Sequence, residues 1–207
     1  VVATALDWYQ EGFQILKMKV GQDVEEDIRR VEAVTAACQE ASFVIDANQG
    51  YTFEQAQAFM LAMEQLHIPV KVFEQPIHRD HIEEMAMLKN QGSIPLAADE
   101  SIRSIDDARQ LIERKAVDMF NVKITKCGVM ESVRIVELAQ ASGVRLMIGG
   151  MVESRVAMGC SWSMVLGLGG VEILDLDMPL LLSVDPIKGG YQYNGSSLHP
   201  WHEPGLG

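Results

Sequence analysis

Short apolar runs that stop abruptly at a charged residue or a glycine recur along this chain at a nearly fixed interval. The runs ending at Lys19, Asp46, Glu74, Asp99, Lys123, Gly150 and Asp177 have their endings 24 to 28 residues apart. A period of that length marks a repeated supersecondary unit. Strand-plus-helix units of a parallel barrel average about 31 residues in a domain of about 250. The runs are almost continuously apolar rather than alternating, as strands covered on both faces of a parallel sheet must be. The sequence therefore predicts an α/β chain, a TIM-like barrel built of βα units.

The intervening segments carry helical spacing. Val24, Ile28, Val31, Val34 and Cys38 recur behind an Asp23/Glu26 capping pattern, which predicts a helix over 23–40. Thr52 and Gln55 start another, with Phe53, Ala56, Met60, Met63 and Leu66 as its inward stripe. Further helices are expected over 3–10, 80–90, 104–113, 129–142 and 153–166. Strands are expected over 13–20, 43–46, 71–74, 95–98, 118–122, 144–148 and 171–174, so seven strands alternate with seven helices. Residues 1–183 read as the barrel, and 184–207, rich in Pro, Gly, Tyr and Ser, as a returning tail. A closed barrel of eight needs one more strand, which by position would precede Lys17. The expectation is a fragment of a longer protein, or a homo-oligomer or complementing chain segment that covers the open edges.

Composition narrows the partners. A net charge of −12 repels nucleic acid and anionic membranes and leaves small molecules. The cysteines, Cys38, Cys127 and Cys160, are odd in number and scattered, so neither a disulfide framework nor a CxxC metal site is expected. A reducing cytoplasm is the simplest setting. The longest uncharged run, Val156 to Val171, is short of the roughly 20 apolar residues of a membrane span.

Taking the Lys17 strand as the second of eight, Asp46, Glu74 and Asp99 end strands three to five, Lys123 ends strand six, and Asp175 and Asp177 end strand eight. Barrel enzymes build their active sites at these C-terminal ends. Each acid alone could be a helix cap. Three like charges from adjacent strands instead call for a cation, and an all-oxygen set without His or Cys suits Mg²⁺, with Mn²⁺ as a substitute. Lys17 and Lys19 alternate onto one face of their strand. Like-charge proximity and partial burial lower a lysine pKa towards the range of a general base, so Lys19 is a candidate base. Lys123 should face it from the opposite side of the ring, and two bases flanking one carbon describe racemisation or epimerisation. Asp175 and Asp177, as an i, i+2 pair, favour a cationic group on the substrate, and a metal at one end with an ammonium site at the other fits a dipeptide. His78 and His81 read as solvent-facing, and Gly167-Leu-Gly-Gly170 as a helix cap and turn rather than a phosphate cradle.

These residues carry a resemblance. Lys17-Met-Lys19, Asp46-Ala-Asn48, Glu74-Gln-Pro76, Asp99-Glu-Ser101 and Asn121-Val-Lys123 resemble the enolase superfamily, muconate lactonizing subgroup. Met147-Ile-Gly-Gly-Met-Val-Glu-Ser-Arg155 and Asp175-Leu-Asp-Met-Pro179 look like its dipeptide epimerases of the L-Ala-D/L-Glu type, and Pro204-Gly-Leu-Gly207 looks like the superfamily's C-terminal tail. The resemblance implies a (β/α)7β barrel that here lacks its capping domain and first strand, with Mg²⁺ held by Asp46, Glu74 and Asp99. It also implies Lys19 and Lys123 as alternating acid and base around a metal-stabilised enediolate, and no organic cofactor. Lys17 would assist at the substrate carboxylate, Asp175 and Asp177 would hold the dipeptide's ammonium, Met151 would line the pocket, and Asn48, Glu100 and Asn121 would support the site. Alternatives on the same scaffold are an N-acylamino acid racemase or o-succinylbenzoate synthase. A Schiff-base aldolase using Lys123 and an inactive barrel fragment belong to other classes.

Overall fold

A computed structural model describes residues 1–201 and 203. His202 and the Pro204-Gly-Leu-Gly207 tail lie outside the described residues. The chain divides into two compact units, one of Val1–Ser101 with Leu111–Asp118 and one of Ile102–Gln110 with Met119–Gly207. Residues 184–201 thus group with the second unit.

The first unit contains α1 (Val2–Gln10), β1 (Ile15–Lys19), α2 (Val24–Ala37), β2 (Ser42–Asp46), α3 (Phe53–Gln65), β3 (Val70–Glu74), α4 (Ile82–Lys89) and β4 (Leu96–Ala98). Its strands are parallel and lie in chain order. Register pairs Lys19 with Asp46, Asp46 with Glu74, and Glu74 with Ala97, so charged residues from three strands share one row. The helices begin where their caps predict: Asp23 accepts from Glu26 N at 2.9 Å, and Thr52 and Gln55 form a reciprocal capping box. Val31, Val34 and Phe59 on the helices and Phe43, Val72 and Phe73 on the strands are buried and supply the hydrophobic stabilisation of this unit.

Two contacts fix the turns beside that row. Gly21 has φ +109°, and a Cβ on Gly50 would lie 2.2 Å from Gly21 O, so only paired glycines allow these backbones to meet. Asp27 is 2% exposed and accepts hydrogen bonds from Gly21 N (2.9 Å), Gln22 N (3.2 Å), Tyr51 Oη (2.7 Å) and Arg30. Burial disfavours its charge, but the four donors outweigh it and hold the carboxyl below its usual 3.8.

In chain order α5 (Ile105–Glu113) follows, with residues in both units. The second unit then holds β5 (Met119–Val122), α6 (Ile124–Cys127), α7 (Val129–Ser142), β6 (Arg145–Gly149), α8 (Arg155–Leu168), β7 (Val171–Asp175) and α9 (Met178–Leu181). A hairpin of β8 (Tyr191–Asn194) and β9 (Ser197–Pro200) closes it. Strands β5 to β7 are parallel and in chain order. The Gly-rich stretch after α8 is the predicted cap and turn, with Gly169 at φ 65°. Two short helices and a hairpin add to the sequence reading: the four-residue helices α6 and α9 are too short to show a period, and β8 and β9 lie within the segment expected to be a returning tail. Arg155 anchors that hairpin: it donates to Asp185 Oδ2 at 2.6 Å and to Tyr191 O at 2.8 Å, and its guanidinium lies 4.9 Å from the Tyr191 ring centroid. Among the described residues, no helix is long and apolar enough to cross a membrane.

Asp27→Ala leaves several donors without their acceptor and is expected to cost roughly 2–3 kcal/mol in urea unfolding at pH 7. Because the folded pKa lies below the unfolded one, this contribution is present above about pH 4 and is lost as pH falls through the lowered value. The stability gap between wild type and variant should therefore narrow on acidification; a gap that widens would contradict the assignment.

Candidate active site

In the first unit, β1 alternates as expected: Leu16 and Met18 are buried on one side, and Lys17 and Lys19 project from the other. Lys17 Nζ lies 3.1 Å from Asp46 Oδ2 and 2.9 Å from Glu74 Oε2, bridging the ends of β2 and β3. Lys19 Nζ meets the same Asp46 oxygen at 2.5 Å and donates to Asn48 Oδ1 at 2.8 Å. The lysines differ in environment, with 18% of the Lys17 side chain accessible and 60% of Lys19. Partial burial, expected for the base at Lys19, thus describes Lys17 better.

The acids are deeply placed. Asp46 and Glu74 are fully buried and Asp99 is 3% exposed. For Asp46, burial opposes ionisation, but the charges of Lys17 and Lys19 overcome it and lower its pKa. Glu74 goes the other way, raised to about 7, first by burial and then by the charges of Asp46 and Asp99, against the pull of Lys17. Beyond them, Asn48 Nδ2 donates to Glu100 Oε1 at 3.3 Å, while Glu100 Oε2 is buried and has no hydrogen-bond partner among the described residues. Burial first, then the charge of Asp99, raises the Glu100 pKa.

Among the described residues, no group of three or more His, Cys, Asp or Glu side chains is arranged to hold a metal ion. The cation between Asp46 and Glu74 is the Lys17 ammonium. The chemistry of the donors nevertheless fits a hard divalent ion. All three are carboxylates at the ends of successive strands: Asp46 and Glu74 are register partners, and Asp99 follows two residues after Ala97, the register partner of Glu74.

In the second unit, Val122 pairs with Ile148 and Gly149 pairs with Asp175, so Lys123, Gly149 and Asp175 stand at neighbouring strand ends. Lys123 is 4% exposed and Asn121 fully buried. A Cβ on Gly149 would lie 2.7 Å from Asn121 Oδ1 and 3.1 Å from Lys123 Cε, so the glycine makes room for both side chains. Met151 Sδ sits 3.9 Å from Lys123 Nζ, and the Met151 residue is 54% exposed. Asp175 ends β7, and Asp177 is the exposed N-cap of α9, with Leu176 buried between them. Asp177 thus lies outside the strand, with φ −84° and ψ −12°, where the alternation behind the i, i+2 expectation no longer applies.

Three residues escaped the sequence reading. Gln75, directly after Glu74, is fully buried and hydrogen-bonds to the Asp99–Ser101 segment. Its signals were its place beside a strand-ending acid and within the Glu74-Gln-Pro76 motif, which carried no role for it. Glu153 accepts from Met151 N at 2.5 Å and Thr125 Oγ1 at 3.1 Å and so shapes the loop bearing Met151. Tyr193 donates its hydroxyl to Leu176 O, tying the hairpin to the strand end that carries both aspartates. Glu153 stood within the Met147–Arg155 motif without a role of its own, and nothing local in the sequence pointed to Tyr193.

Comparison with known proteins places this arrangement in a family. The family model described as "Enolase C-terminal domain-like" matches residues 1–207. An L-Ala-D/L-amino acid epimerase from Populus trichocarpa is 40% identical over 196 residues, covering 93% of this chain and 47% of that protein. An L-Ala-D/L-Glu epimerase from Thermotoga maritima is 38% identical over 187 residues, covering 90% of this chain and 54% of that protein. The crystal structure of a dipeptide epimerase from Cytophaga hutchinsonii, complexed with Mg and the dipeptide D-Ala-L-Val, matches with TM-score 0.94 at 31% identity, covering 100% of this chain and 56% of that one. The chain therefore spans about half the length of the relatives it matches, and the likeness bears out the TIM-like α/β fold class expected from the sequence. A match along its whole length, with a row of acids and lysines at its strand ends, means that the chain belongs to the enolase C-terminal domain-like family.

Proposed function

We propose that this chain carries the catalytic residues of a Mg²⁺-dependent dipeptide epimerase, an isomerase that inverts one α-carbon of its substrate. The observation that carries this reading is the buried cluster of Asp46 and Glu74 bridged by Lys17, with Lys19 on the same Asp46 oxygen. Clustered carboxylates and amines at strand ends suit abstraction of a weakly acidic proton next to a carboxylate. The names of the relatives, epimerases acting on dipeptides or amino acids, support the substrate class. A divalent cation held by Asp46, Glu74 and Asp99 would supply positive charge where negative charge builds on the substrate carboxylate as its α-proton leaves.

The chain's own residues divide the remaining work. Lys19 and Lys123 are the two proton carriers, one removing the α-proton and the other returning a proton to the opposite side of the carbon. Lys17, whose ammonium already pairs with two carboxylates, steadies the substrate carboxylate. Asp175 and Asp177 accept hydrogen bonds from the substrate's α-ammonium. The Met151 thioether, beside Lys123 Nζ, lines the pocket at the substrate side chain. We place the reaction in a reducing cytoplasm, in keeping with three free cysteines.

Proton exchange into D₂O across a dipeptide library, with Mg²⁺ or Mn²⁺ and the intact protein, tests this reading. Lys123→Ala should abolish exchange from one stereoisomer, a loss of roughly 10²–10⁴-fold, while the other retains some. Equal loss from both series would contradict two-base chemistry. Asp175→Ala combined with Asp177→Ala should remove dipeptide turnover and leave N-acylamino acids, which lack the ammonium, largely unaffected. Parallel loss on both substrate classes would count against an ammonium site.

A further inference from the structure

We propose that Gln75 is the positioning residue that presents Asp99 to the divalent cation, an inference that rests on the metal reading of Asp46, Glu74 and Asp99. The need for such a residue arises from the strands. Strand β4 lasts only Leu96–Ala98, and its register with β3 ends at Glu74 and Ala97. The ladder runs one step further, with Gln75 N donating to Ala97 O at 2.9 Å. Asp99 lies just beyond that point.

The Gln75 side chain takes over there. Its Oε1 accepts from Asp99 N and Ser101 N, both at 3.0 Å, and its Nε2 donates to Ile77 O at 3.0 Å and Ser101 Oγ at 2.9 Å. A primary amide has two donors and two acceptor sites, and all of them are used. Two backbone donors face Oε1 and a carbonyl faces Nε2, so the amide fits only this way round. Ser101 Oγ passes the restraint on to Arg79 O at 2.9 Å, which ties the loop after β3 to the loop after β4.

No other side chain does the same work. Glutamate of equal length would lose both donations and place another charge next to the fully buried Glu74. An apolar residue would strand the Asp99 and Ser101 amides in a buried site. Gln75 also holds φ +35°, a left-handed conformation costly for a non-glycine residue, so the backbone is fixed here against its own preference. The result is a rigid path from the residue after Glu74 to the amide of Asp99, setting the spacing of two of the three proposed ligands.

The experiment is Mn²⁺ titration of the intact protein, followed by calorimetry and by Mn²⁺ resonance, on wild type, Gln75→Met, Ser101→Ala and a control, Tyr51→Phe. The control loses a buried hydrogen bond to Asp27 in the same unit without touching the amide network. Gln75→Met should weaken Mn²⁺ binding roughly 10- to 100-fold, as loss of an outer hydrogen-bonding partner does. Ser101→Ala should weaken it less, and Tyr51→Phe should lower Tm while leaving affinity in place. Folded Gln75→Met binding within about twofold of wild type overturns the proposal. So does Tyr51→Phe losing as much affinity for a matched fall in Tm, since the effect would then be general loosening. Should Gln75→Met fail to fold, Ser101→Ala decides, and unchanged affinity there overturns the proposal. A wild type that takes up no Mn²⁺ overturns the metal reading and this inference with it, whereas tight wild-type binding matched by the Gln75 variant overturns this inference alone.

Discussion

Asp46 and Glu74 lie fully buried in one register row, and such a pair persists only with positive charge held against it. Lys17 supplies that charge by bridging both carboxylates, and Lys19 adds a second amine on the Asp46 oxygen. The balance is incomplete. Asp46 is stabilised as an anion, while Glu74 is pushed up to about 7 by burial and by its acidic neighbours. A site with more buried negative charge than nearby lysines can neutralise is suited to a further cation, and the chemistry proposed for this chain follows from that imbalance.

Other contacts fix the turns of the first unit: the Gly21 and Gly50 backbones meet where no side chain fits, and Asp27 gathers donors from the turn after β1 and from Tyr51 beyond β2. Gln75 acts at the acids themselves, between the loops after β3 and β4. Asp27 and Gln75 are both buried polar groups that join loops through their side chains. Hydrogen bonds of this kind specify geometry more than they add stability, because an unmade one costs more than a made one gains.

The second unit solves a related problem with space instead of charge. Gly149 leaves room for Asn121 and Lys123, Glu153 shapes the loop that carries Met151, and Tyr193 reaches from the hairpin to the backbone between Asp175 and Asp177. Residues far apart in the chain thereby fix the strand ends that bear the proposed base and ammonium acceptors. His78 and His81, by contrast, are half-exposed and contribute nothing to either row.

Periodicity alone determined the strands, the long helices and the strand-end position of Lys17, Lys19, Asp46, Glu74, Asp99, Lys123 and Asp175, because a repeating apolar run dictates where each buried strand must stop. The i, i+2 spacing likewise determined that Lys17 and Lys19 share a face, since strand side chains alternate. Tertiary structure alone decided that Lys17 is the bridging and more buried lysine, that Glu74 rather than Asp46 resists ionisation, and that Gln75, Glu153 and Tyr193 hold the site in place. Those outcomes depend on distances and burial among residues brought together from different strands and loops, such as Gln75 and Asp99, 24 positions apart, and on which way a buried side chain turns, and neither quantity is written in local pattern.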